Sequence, residues 1–278
     1  MTSPVSATFV LVHGAFANAA HWGPVARGLT LRGHRALAVD LPGHGLDARV
    51  PVGDRTTAPS GMVGRSTDGD VAAVLEVVRA AHRHGPVVLV GHSRGGLTIT
   101  ACANADPEVV DHIVYVSAWC CVDGGPSSYQ GSPDAESELD RLLPRLVAAN
   151  PAALGALRVD WGLDDPALVD DLHRALLADG SREELLAMLR TMDADEALAI
   201  DEDAVRVDPA PWGRVPHTYV RLSRDRALPV TLQDRFVAEA DAAVPGNPFR
   251  VVDLPTSHLG VQVRPEALVG ELVRLLDD

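Results

Sequence analysis

The stretch from Pro86 to Leu97, Pro-Val-Val-Leu-Val-Gly-His-Ser-Arg-Gly-Gly-Leu, constrains this chain more than any other. Pro86 to Val90 is an apolar, mostly β-branched run of buried-strand type, and Leu97 to Ala105 reads as a helix. The glycines between them force an abrupt turn from strand to helix. Side chains at Gly91 and Gly95 would collide across so sharp a turn, and Ser93 must take a strained conformation that lifts its hydroxyl clear of the sheet edge. The helix that follows aims free N–H groups and its positive dipole end at any negative charge forming beside that hydroxyl. A chance Gly-x-Ser-x-Gly is the alternative in a chain where 24 of 278 residues are Gly, but the motif demands a flanking strand and helix, and both are present.

Around this centre the pattern alternates. Ala7–Val12 is a short apolar strand ending at His13-Gly14, and Trp22–Leu31 has helical spacing and stops at Gly33. Arg35–Leu41 is a second strand closed by Pro42-Gly43-His44-Gly45, and the chain to Ser66 reads as a long loop. Thr67 or Asp68 caps a helix to His82, the central strand and its helix follow, and His112–Trp119 is a fourth strand. Such alternation means a parallel sheet with helices on both faces, an α/β fold.

The rhythm stops from Cys120 to Val215. Helices are expected there from Asp134, interrupted near Pro144, from Pro166 to Ala178, and after the capping-box pattern Ser181-Arg182-Glu183-Glu184, with no strand. An insertion at the carboxyl edge of a parallel sheet would sit over the site as a cap. The expected division is a core of 1–119 and 216–278 with a helical cap of 120–215. Alternation resumes with strands at Pro216–Ser223 and Phe249–Leu254 and helices at Val230–Ala240 and Pro265–Leu276; the loops after the two strands carry Asp225 and His258.

A serine hydroxyl attacks only when an imidazole takes its proton, and that imidazole needs a carboxylate to fix its tautomer. His258 is the candidate base, since it follows a strand by a short loop and precedes the last helix. Asp225 is the candidate acid and Asp123, also shortly after a strand, the runner-up; Asp253 lies inside a strand pattern. His82, His84, His112 and His173 fall in helices or at element ends, where solvated roles are expected, and His13 reads as a loop-fixing residue. The developing oxyanion needs two backbone N–H groups, expected from Arg94 and from Ala15, with Gly14 allowing close approach. The Arg94 side chain either recognises a substrate oxygen or pairs with one of the many acids. Phe16, Trp22, Trp119, Tyr129 and Trp161 are candidates to line an apolar substrate pocket, and each could equally be core.

The balance of 24 Lys and Arg against 38 Asp and Glu gives a net charge of −14, which repels nucleic acid and anionic membranes. A small-molecule substrate is therefore the expected partner; a homodimer stays open, because oligomeric state leaves no readable trace. Three cysteines in no zinc-type spacing, and no cofactor motif, lead us to expect neither metal nor cofactor and a reducing, cytoplasmic setting. The N-terminus lacks a basic segment and a long apolar core, so neither signal peptide nor membrane span is expected.

Three segments carry a family resemblance: Phe9-Val10-Leu11-Val12-His13-Gly14-Ala15, Gly91-His92-Ser93-Arg94-Gly95-Gly96, and Tyr219 to Pro229. They resemble the α/β-hydrolase superfamily, in particular the branch of plant methyl esterases and hydroxynitrile lyases with its bacterial esterase relatives. The likeness covers about residues 7–119 and 216–277 and is weak across the cap. It implies the α/β-hydrolase fold, with the serine, acid and histidine in the chain order Ser93, Asp225, His258, and Ala15 as an oxyanion donor. The lyase branch carries a threonine in the first loop and a lysine after the histidine, where this chain has Gly14 and Leu259, so the resemblance favours ester hydrolysis over cyanohydrin cleavage. The expected activity is cleavage of a carboxylic ester, lactone or thioester of a small to medium apolar substrate through an acyl-enzyme. The alternatives are acyl transfer, cyclisation or C–C cleavage with the same triad, and a receptor-like binding role.

Overall fold

The computed structural model describes residues 6–49 and 56–276. Residues 1–5, in the N-terminus where no signal peptide is expected, and 50–55, inside the expected long loop, lie outside the described residues. The first half of the chain forms β1 (Thr8–Val12), α1 (Gly23–Thr30), β2 (Arg35–Val39), α2 (Thr67–His82), β3 (Val87–Ser93), α3 (Gly95–Ala105) and β4 (His112–Ala118). Ser66, rather than Thr67 or Asp68, caps α2, its hydroxyl accepting from the Gly69 N–H.

Between β4 and the next sheet strand come α4 (Pro126–Tyr129), α5 (Glu138–Leu146), α6 (Pro151–Leu154), β5 (Leu157–Arg158), α7 (Pro166–Leu176), α8 (Arg182–Leu189) and β6 (Asp195–Glu196). Pro144 lies inside α5 instead of interrupting it. The capping box at Ser181 forms as its pattern predicts. The expectation of no strand here was wrong: β5 and β6 pair antiparallel, Leu157 with Glu196 and Arg158 with Asp195. Two-residue strands carry no alternation to be read. The chain then returns as β7 (His217–Leu222), α9 (Val230–Ala243), β8 (Arg250–Leu254), α10 (Gly260–Val263) and α11 (Glu266–Arg274).

The six longer strands make one sheet in the order β2-β1-β3-β4-β7-β8, and every neighbouring pair is parallel. Alternate residues feed opposite faces. Phe9, Leu11, Val88, Val90, Val114 and Val116 meet Trp22, Val25 and Leu29 of the α1 region and Leu268, Val269 and Leu272 of α11. Val10, Val12, Leu89, Ile113 and Tyr115 meet α2, α3 and α9. Burying each such large side chain contributes about 1.5–3 kcal/mol, enough to hold a sheet whose carboxyl edge is left to polar loops. A third apolar cluster, around Leu146, Leu168, Leu172, Leu185 and Leu189, extends onto Phe16 and Leu259 of the core loops.

Candidate active site

Ser93 ends β3 with φ +53, in the left-handed region that non-glycine residues avoid, and α3 begins two residues later. The glycines explain how this is tolerated. A Cβ on Gly91 would come within 2.9 Å of the Gly95 carbonyl, and one on Gly14 within 2.8 Å of the Ser93 Cβ. The His13–Ala15 loop therefore lies directly against Ser93, as close backbone approach requires. Neither the Ala15 nor the Arg94 N–H is taken up by any turn or loop backbone hydrogen bond among the described residues. His13 braces this loop, its Nδ1–H donating to the Gly14 carbonyl at 2.8 Å and its Nε2 accepting from the Leu41 N–H at 3.1 Å. Burial, with His44 beside it, pushes the His13 imidazole down to about 4, so it is neutral at pH 7.

His258 and Asp225 meet on the loops after β8 and β7, with Nδ1 of the imidazole 2.5 Å from Asp225 Oδ2. The carboxylate is buried and also accepts from Ser117 Oγ at 2.6 Å and from the Ala227 and Leu228 N–H groups at 2.8 Å. Asp123 lies elsewhere, its N–H donating to the Tyr129 hydroxyl, and Asp253 pairs with Arg221 on the surface. Ser117 was not singled out from the sequence. It sits where the β3–β4 register shifts, with Ser93 opposite Ala118, and its φ of +39 turns it out of the regular strand. A serine inside an apolar strand is the only signal it leaves. His92, also buried, donates from Nε2 to the His258 carbonyl at 3.0 Å, and the two rings lie 4.5 Å apart. Burial keeps His92 neutral, well below its ordinary range. His112 is not solvated as expected: its Nε2 lies 2.9 Å from Thr218 Oγ1 between neighbouring strands.

Ser93 and His258 line one cavity of about 590 Å³ together with Ala15 and Arg94. Its walls are mostly apolar, with Leu143, Leu146, Leu157, Val159 and Met192 from the segment between β4 and β7. Of the five aromatic candidates, Phe16, Trp119 and Trp161 line it. Trp22 and Tyr129 do not. Trp22 is fully buried among α1 and α11 residues beneath the sheet, and Tyr129 is buried against Phe236 with its hydroxyl donating to Glu239. Aromatic residues look alike in sequence whichever side of a loop they face.

The Arg94 guanidinium pairs with Glu196 of β6, the internal acid that one of its two readings expects, and Arg94 also lines the cavity. Glu196 is itself buried, accepts from the Phe16 N–H at 2.9 Å and lies 3.5 Å from His44 Nε2. Burial alone would raise the Glu196 carboxyl, but Arg94 and His44 outweigh it and hold it well below the usual carboxylate range. His44 Nδ1 lies 3.2 Å from Asp193 Oδ2. Burial opposes charge on His44, yet its hydrogen bonds to Asp193 and Glu196 push it up to about 9. None of these long-range partners was legible, because residues 44, 94 and 196 are far apart in the chain and show no spacing motif.

A strained serine at a strand-to-helix turn, a histidine–carboxylate pair at neighbouring strand ends and a six-stranded parallel sheet define an α/β hydrolase. The sequence matches the alpha/beta hydrolase family over residues 9–271, and the chain belongs to that family of enzymes. It is 27% identical over 292 residues to a pyrethroid hydrolase of Sphingobium wenxiniae, covering 96% of this chain and 87% of that one. It is 24% identical over 277 residues to methylesterase 1 of Arabidopsis thaliana, covering 97% and 95%. Among solved structures, a pyrethroid hydrolase superposes with a TM-score of 0.71 at 21% identity, covering 98% of each chain. The resemblance to the methyl esterase branch noted from the sequence holds.

Proposed function

We propose that this protein is a serine esterase cleaving a carboxylic ester of an uncharged, small to medium apolar substrate through an acyl-enzyme. The observation that carries this reading is the placement of Ser93 and the Asp225-paired His258 on one largely apolar cavity of about 590 Å³. Relatives that act as a pyrethroid hydrolase and a methylesterase support ester cleavage as the chemistry. With Asp225 ionised, Nδ1 of His258 carries the proton that donates to it, which leaves Nε2 as the base. Nε2 takes the Ser93 hydroxyl proton as Oγ bonds to the ester carbon, and the carbonyl electrons move to an oxyanion held by the Ala15 and Arg94 N–H groups. Collapse breaks the C–O bond to the leaving alcohol, which receives the proton from His258. Water, deprotonated in turn by His258, attacks the acyl-enzyme, releases the carboxylic acid and returns the proton to Ser93. The charge of Arg94, beside Ser93, is already matched by Glu196, which supports a neutral substrate.

The test is intact-mass analysis after fluorophosphonate treatment, with a panel of p-nitrophenyl esters of increasing chain length. One adduct that disappears in Ser93→Ala, with turnover at least ~10³-fold lower in that variant, is the expected result. Labelling without turnover of any ester would point to acyl transfer, and absence of labelling in folded protein would overturn the serine mechanism.

A further inference from the structure

The segment from Thr191 to Glu196 grips the loop that carries Ala15 at several points. The Asp193 N–H donates to the Phe16 carbonyl at 2.7 Å, and Glu196 Oε2 accepts from the Phe16 N–H at 2.9 Å. Asn18 Nδ2 donates to the Thr191 carbonyl at 2.8 Å, and His21 Nε2 lies 2.8 Å from Thr191 Oγ1. Phe16, held on both sides of its backbone, has φ +57, a conformation that a phenylalanine adopts only when its surroundings impose it. Glu196 Oε1 pairs with Arg94, the residue that follows the nucleophile. One buried carboxylate thus joins the loop of Ala15 to the turn of Ser93, and its bond to Phe16 leaves the Ala15 N–H as the uncommitted amide beside Ser93.

We infer that Glu196 is a positioning residue for the oxyanion hole: it bridges Phe16 N–H and the Arg94 side chain and so sets the separation of the two amides that hold the negative oxygen. This rests on the reading of Ala15 and Arg94 as the oxyanion donors. The physical reason is that such donors stabilise the transition state only when held in place beforehand, to within about 0.5 Å of the productive geometry. A loop on strained backbone does not hold that position by itself. The anchor comes from a strand of the insertion, so the hole is complete only when that strand is docked.

The test compares wild type, Glu196→Ala and the double variant Arg94→Met/Glu196→Gln, in which the amide oxygen still accepts from Phe16 and no charge is left bare. For each, kcat and KM for a p-nitrophenyl ester, the inhibition constant of a trifluoromethyl ketone of the same acyl chain, and the thermal midpoint are measured. The ketone forms a tetrahedral oxyanion on the serine and so reports on the hole, whereas KM reports mainly on the apolar cavity. Glu196→Ala is expected to lower kcat by about 30–100-fold, the order of losing much of one donor, with KM within threefold and ketone affinity reduced by a factor similar to kcat. The double variant is expected to fall by about tenfold, in kcat and ketone affinity together. A folded Glu196→Ala that keeps kcat within threefold, or loses kcat with ketone affinity unchanged, overturns the inference while leaving the esterase reading intact. If Glu196→Ala does not fold, the double variant decides on the same criteria. Wild-type protein that neither turns over esters nor binds the ketone overturns both.

Discussion

Among the described residues, the sheet strands and the helices packed on them bury apolar and uncharged polar side chains but no Arg, Lys, Asp or Glu, whereas the segment between β4 and β7 buries Arg158, Asp195 and Glu196 alongside its leucines. Arg158 is only 1% exposed and forms two bonds of 2.6 Å to Asp195, with a third to the Ala58 carbonyl at 2.7 Å. The sheet is held by area removed from water, which needs no particular partner. The insertion is held on its inner side by charges that must each find one partner. The same contrast applies to the site. The sheet delivers Ser93, Asp225 and His258, while the insertion ties down the loops that carry them. Asp179, just after α7, accepts from the Thr256 hydroxyl at 2.6 Å and the Ser257 N–H at 3.2 Å, and the Leu259 N–H donates to the Leu176 carbonyl at 2.9 Å. The His258 loop is thus fastened to the insertion much as the Phe16 loop is.

This contrast can be broken most directly at Arg158. Arg158→Met leaves Asp195 buried and unpaired and is expected to destabilise the protein by about 3–5 kcal/mol; the double variant Arg158→Met/Asp195→Leu should recover most of it. Chemical denaturation measures both, and a double variant no better than the single would mean that this pair is not the organising contact. Leu89→Ala, in the sheet, is expected to cost about 2–5 kcal/mol through a cavity, with little dependence on pH. A pronounced pH dependence there would erase the distinction.

Next in size is the pH response of the insertion's contact with the β2 loop. His44 is raised from 6.5 to about 9 between Asp193 and Glu196. A folded value above the unfolded one means that its stabilisation is complete below about pH 6.5 and is lost as pH rises through 9. The thermal midpoint is expected to fall over that window, and His44→Asn should flatten the fall; an unchanged slope in the variant would exclude His44 as its source. The smallest effect belongs to Ser117→Ala, which removes one of several hydrogen bonds to Asp225. It is expected to lower kcat by roughly tenfold, about 1.4 kcal/mol, in line with a hydrogen bond to a charged group, with KM little changed. An unaltered kcat would show that the Ala227 and Leu228 amides hold Asp225 without help.

What the sequence determined by itself is the alternation of strand and helix, the glycine-flanked serine turn, and the placement of Asp225 and His258 after late strands. These are local properties, written in the period of apolar residues and in steric demands on neighbouring backbone. Only the tertiary structure decided that Phe16, Trp119 and Trp161 face the cavity while Trp22 and Tyr129 do not. It also decided that Arg94 meets Glu196, that Ser117 turns out of its strand toward Asp225, and that β5 pairs with β6. Each of these joins residues distant in the chain. Burying a charge or an N–H group demands a partner, but nothing in the local pattern says which distant partner will meet that demand.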